Sequence, residues 1–124
     1  MSLPAFTVSV VARHLPEQSD PEQGAFAFAY TVTIRNAGSA PAQLVARHWI
    51  ITDAAGHVEE VRGLGVVGHQ PLLQPGEAFE YTSGARLATP SGTMRGTYFC
   101  ITDDAHWFEA PIPEFLLATA ASLH

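Results

Sequence analysis

Lysine is absent from this chain: all six basic residues are arginine, set against twelve acidic ones for a net charge of −6. A phosphate loop of the Gly-Lys-Ser/Thr kind is therefore excluded. No basic stripe is available either, which argues against nucleic-acid binding and against attraction to anionic membranes. Cysteine is nearly missing, and Cys100 alone builds no intramolecular disulfide framework. No stretch approaches the roughly 18 apolar residues of a membrane helix. The N-terminus shows no basic segment followed by an apolar one, so a cytoplasmic setting is expected. Sustained 3.6-residue periodicity is lacking too, apart from one helical turn expected at Glu114 to Ala120.

Alternation of period two takes its place. Phe6, Val8, Val10 and Ala12 share one face, with Thr7, Ser9 and Arg13 on the other. Phe26, Phe28, Tyr30, Val32 and Ile34 form a second apolar face, backed by Thr31, Thr33 and Arg35. Such segments are half-buried strands, because successive side chains point to opposite faces. Further strands are predicted at Gln43 to Thr52, His57 to Arg62, Ala78 to Ser83, Thr93 to Thr102 and His106 to Pro111. Turn residues separate them: Asn36 to Ser39, a tight hairpin at Asp53 to Gly56, Pro75-Gly76 at the centre of a type II turn, and Asp103 to Ala105. Leu15 to Gly24 reads as a surface loop. With 47% hydrophobic residues in 124, the whole chain, 1–124, is expected to form one domain with a proper core. The pattern predicts an all-β fold: an immunoglobulin or fibronectin type III-like antiparallel β-sandwich of about seven strands.

Gly63, Gly65 and Gly68 are spaced as G-x-G-x-x-G, the spacing of a dinucleotide loop. That loop must follow a strand and open a helix whose N-terminus holds the pyrophosphate. Here Pro71, Pro75 and Gly76 follow and leave no room for a helix. The acidic residue about 20 positions further on is also missing. The trio reads instead as an irregular crossing segment needing positive φ or close backbone approach.

Catalytic chemistry has no visible foothold. Ser83 lacks the glycine that a nucleophile elbow requires two residues earlier, and Cys100 reads as a small core residue. The six histidines show no metal-ligand spacing. No catalytic residue, metal ligand or cofactor is assigned. An anion site has a better motive. A tight Asp53–Gly56 turn places Arg47 nearly opposite Arg62, whereas a one-residue slip brings His48 there instead. Opposed like charges on a sheet are unfavourable, so Glu59, Glu60 or a bound phosphate-type anion is expected nearby. The candidate anion site is Arg47 and Arg62 with the backbone N–H groups of Gly63, Gly65 and Gly68. The C-terminal run offers Ile112, Phe115, Leu116 and Leu117 either as cover for a sheet edge or as a docking surface or dimer seam. Trp49 and Trp107 could serve in either role.

The chain resembles the ApaG family, a domain of unknown function, over nearly its full length. The resemblance is carried by Phe28 to Ile34 with Asn36, Arg47 to Asp53, Val61 to Gly68, Gln70-Pro71, Leu73, Pro75 to Glu77 and Tyr81 to Gly84. It continues through Thr89-Pro90, Gly92, Met94, Gly96, Tyr98-Phe99 and Pro111 to Pro113. His69 and Ala105-His106 depart from the family pattern, the latter where a glycine is often found. The resemblance implies an immunoglobulin-like sandwich in a bacterial cytoplasmic protein, and a link to cobalt tolerance and magnesium efflux. Related domains in eukaryotic F-box proteins imply binding to a protein partner. The combined expectation is a non-enzymatic interaction module, with a small-anion or nucleotide-phosphate regulator using Arg62 to Gly68 as the alternative.

Overall fold

The alternating segments pair into two antiparallel sheets. The computed structural model describes residues 6–121. Its strands are β1 (Phe6–His14), β2 (Phe26–Asn36), β3 (Ala42–Asp53), β4 (Val58–Leu64), β5 (Leu72–Leu73), β6 (Ala78–Leu87), β7 (Ser91–Thr102) and β8 (Trp107–Ala118). One sheet has the order β1-β2-β6; the other runs β4-β3-β7-β8, with β5 added to β3. This is the expected all-β sandwich, with eight strands rather than seven because β5 is only two residues long. The Leu15 to Gly24 loop contains two short 3-10 turns, Pro16–Gln18 and Pro21–Gln23.

The core lies between the sheets. Phe28, Val32 and Ile34 of β2 are fully buried, as the alternation predicts. Trp49 of β3 meets Tyr30 of β2 at 5.3 Å and Phe115 of β8 at 5.9 Å between ring centres, in edge-to-face packing. The hydroxyls of Tyr81 and Tyr98 hydrogen-bond to each other across the two sheets. Neither polar tip is therefore left unpaired in the apolar interior.

Two hairpins depart from tight two-residue geometry, and the departure sets the register. Asp53 N–H donates to His57 O, so three residues, Ala54 to Gly56, form the loop. Asp53 Oδ1 accepts from the N–H groups of Ala55 and His57, and Gly56 closes the loop at φ +85°. The β7–β8 hairpin repeats the plan: Thr102 N–H donates to His106 O, and Ala105 takes φ +66°. Three-residue hairpins need this left-handed residue. The C-terminal helical turn expected at Glu114 to Ala120 is absent; strand β8 continues to Ala118 because it pairs with β7 along that length.

An L-residue in the left-handed region costs about 1–2 kcal/mol. Ala105→Gly is therefore expected to stabilise the fold by about 0.5–1 kcal/mol, and Gly56→Ala to destabilise it by about 1 kcal/mol. Urea unfolding of both variants checks this; an Ala105→Gly variant weaker than the wild type overturns it.

Candidate functional site

The three-residue loop moves the β3–β4 pairing by one position from a tight turn. His48, not Arg47, stands opposite Arg62, and Arg47 stands opposite Gly63. A one-residue shift sends a side chain to the other face of the sheet. Arg47 and Arg62 therefore point to opposite faces and form no joint anion clamp. On the outer face the expected carboxylate is Glu60: its Oε1 lies 2.8 Å from His48 Nε2 and 3.6 Å from Arg62. On the inner face Arg47 donates to the carbonyls of Leu64 and Gly65, each at 2.9 Å. Its guanidinium lies where a Cβ on residue 63 would stand, 2.8 Å away, so the glycine there leaves it room.

The glycine segment is a small hairpin of its own. Val66 and His69 exchange two backbone hydrogen bonds around Val67 and Gly68, both at positive φ. That is the φ pattern of a type I′ turn. The N–H of Gly65 is also engaged, by Val45 O at 2.8 Å. The N–H groups of Val67 and Gly68, at the hairpin tip, donate no hydrogen bond among the described residues.

The C-terminal run proves to be core and edge strand. Ile112 and Leu117 are 3% and 0% exposed, and Phe115 packs against the core. A register shift between Met94 and Gly96 allows Ile112 and Phe115, only three residues apart, both to face inward. Of the four candidate docking residues only Leu116 is exposed. The other three are removed from that role by burial. Trp49 is likewise buried, whereas Trp107 is 66% exposed.

An apolar surface does exist, on the outer face of the five-stranded sheet. Pairing places Leu72, Gln43, Ile101 and Trp107 in one row across β5, β3, β7 and β8. The adjacent row is Leu64, Ala46, Phe99 and Glu109. Leu64 and Leu72 are 75% and 55% exposed, and Phe99 and Ile101 are half-buried. One signal for this patch was present in the sequence: Tyr98 to Ile101 is apolar at consecutive positions, so both faces of β7 are apolar there. The opposite outer face, on β1-β2-β6, is polar by contrast. There Thr31 bonds Thr82 at 2.8 Å and Thr33 bonds Glu80 at 3.3 Å.

Cys100 is fully buried, and burial pushes its thiol up to about 12, so no thiolate forms near neutral pH. Tyr81 is likewise pushed up to about 12 by burial. Among the described residues no group of three or more His, Cys, Asp or Glu side chains is placed to hold a metal ion. A shallow cavity of about 150 Å³ is lined by Ile51, Asp53, His57, Glu59, Arg86 and Leu87, with charges of both signs. No helix among the described residues is long and apolar enough to cross a membrane.

Comparison with known proteins adds identity to this geometry. Residues 16–102 match the ApaG domain family. A Ralstonia nicotianae protein named Protein ApaG is 66% identical over 124 residues, covering 100% of both chains. A Dechloromonas aromatica protein of the same name is 61% identical over 117 residues, 94% of this chain and 92% of that one. A Bordetella pertussis crystal structure described as an ApaA protein superposes with a TM-score of 0.92 at 63% identity, covering 94% and 95% of the two chains.

Burial divides the C-terminal run into core and surface, and mutation will divide it the same way. Leu117→Ala is expected to cost about 2–5 kcal/mol in urea unfolding. Leu116→Ala is expected to stay within about 0.5 kcal/mol of the wild type. Equal effects of the two would contradict the β8 placement.

Proposed function

The chain belongs to the ApaG family, and from that premise we propose that it works as a non-enzymatic module for protein–protein interaction. The observation that carries this reading is the apolar patch on the outer face of the five-stranded sheet. A tryptophan and two leucines, each more than half exposed, stand in register with Phe99 and Ile101. Contiguous exposed apolar surface on a soluble domain marks an interaction site, and tryptophan is among the residues most enriched at binding hot spots. The buried Cys100 offers no competing reactive centre. The link to cobalt and magnesium that the family resemblance implies would then act through that partner. A cytoplasmic setting belongs to the same proposal.

Exposed side chains can be changed without opening a cavity, which makes the patch testable. The double variant Leu72→Ser, Trp107→Ser is expected to unfold within a few degrees of the wild type yet lose the proteins that wild type retains from a bacterial lysate. Retention of the same proteins by both would remove the patch from binding.

A second reading rests on the hairpin tip. Arg62 is 72% exposed, and the N–H groups of Val67 and Gly68 are unengaged among the described residues. These are the donor types that hold a phosphate-like anion. Inorganic phosphate is then expected to shift the Val67 and Gly68 amide resonances saturably in the wild type but not in Arg62→Ala. No shift in the wild type eliminates the anion reading.

A further inference from the structure

We infer that the patch receives a cationic amphipathic helix, lying across the strands with its basic flank toward β8. This rests on the interaction-module reading and names the partner's chemistry. Size comes first. The row from Leu72 to Trp107 crosses three inter-strand steps, roughly 14 Å at about 4.8 Å each. An apolar helical stripe of ten residues is about 15 Å long. The two rows lie about 7 Å apart along the strands, which matches the width of one helix face rather than of a single extended chain.

Charge fixes the sign of the partner. Asp103 and Asp104 close the β7–β8 hairpin immediately beyond the Ile101–Trp107 row. Glu109 stands in the second row itself, paired with Phe99. Among the described residues the Asp103 and Glu109 side chains have no hydrogen-bond or ion-pair partner, whereas Asp104 is engaged by Thr102 and His106. Two arginines share this face away from the hairpin: Arg62 on β4 with Glu60 beside it, and Arg95 on β7, opposite Ile50 and four residues before Phe99. The hairpin end of β8 is thus acidic, with Asp103 and Glu109 unpaired, on a chain of net charge −6. Lysine or arginine flanking a leucine stripe answers both features. It also places a cation near the exposed Trp107 ring, where cation–π attraction adds to the ion pairs. An acidic or neutral helix would leave those carboxylates unopposed, and a second copy would bring another net charge of −6.

The test uses the full chain and a synthetic 14-residue helix of leucine and lysine, with leucine at i, i+3, i+4 and i+7 spacing. Its control carries glutamate in place of every lysine. Calorimetry is expected to show saturable one-to-one binding of the lysine peptide, at least tenfold weaker binding of the glutamate peptide, and peptide-induced amide shifts at Phe99 and Ile101. Asp103→Asn with Glu109→Gln is expected to weaken the lysine peptide about tenfold, and Trp107→Ser about as much. Leu116→Ser, at the far end of the same face, is expected to leave binding unchanged. The charge variant keeps every apolar contact, so a folding defect in Trp107→Ser does not blunt the test. Equal binding of the two peptides, or no effect of the charge variant, overturns the cationic assignment while leaving a docking patch in place. A dimer in sedimentation that Trp107→Ser dissociates overturns it in favour of a second copy. If neither peptide binds, the cationic-helix assignment falls; the module reading falls with it only if the patch double variant also retains every lysate partner.

Discussion

Asn36 ties the two sheets together, and much of the surface depends on that tie. It ends β2 in one sheet and is completely buried. Its side-chain amide donates to Ala40 O at 2.8 Å and to Leu73 O of β5 at 2.9 Å, while its Oδ1 accepts from Gly38 N–H. Its backbone N–H and C=O pair with Glu77 and Gly76. A buried amide with every group satisfied holds one geometry, because losing any partner leaves a polar atom unpaired in a dry interior. The bond to β5 matters most for the outer apolar row. It seats Leu73 inward, and alternation then obliges Leu72 to face outward at the start of the exposed row.

Register is the second constraint. One additional residue in the β3–β4 hairpin turns Arg62 to the outer face, away from Arg47, which stays on the inner face with Trp49. There Arg47 caps the carbonyls of the glycine segment instead of meeting a ligand. The same shift brings His48, Glu60 and Arg62 together outside, where their charges balance locally. The glycines at 63 and 65 then serve packing. A Cβ at 65 would collide with His69 O, so the hairpin can close only around glycine.

The two outer faces differ in a way that fits a docking module. A threonine ladder with its own hydrogen bonds suits a solvated face, while leucine, phenylalanine, isoleucine and tryptophan suit a covered one. The edge at β8 carries Pro111 and Pro113, which have no N–H to offer a foreign strand. Docking through the sheet face rather than the edge is consistent with that protection.

Strand identity was legible from local pattern, since alternation at Phe6 to Ala12 and Phe26 to Ile34 follows from burial of one face. The type II turn at Pro75-Gly76 was legible too; Gly76 takes φ +87° and Glu77 N–H closes onto Gln74 O at 2.9 Å. The resemblance carried by Arg47 to Asp53 and Val61 to Gly68 indicated the family before any coordinates did. What only the tertiary structure decided was placement across strands. Whether Arg47 meets Arg62 depends on one loop residue, and whether Phe115 faces in depends on a bulge in β8 itself. Trp49 and Trp107 each follow a histidine and precede an apolar residue, yet one fills the core and the other lies outside. Local sequence determines that a strand forms and where it turns, because those are near-neighbour effects. Which face it buries, and what stands beside it, is settled by pairing with segments far away in the chain.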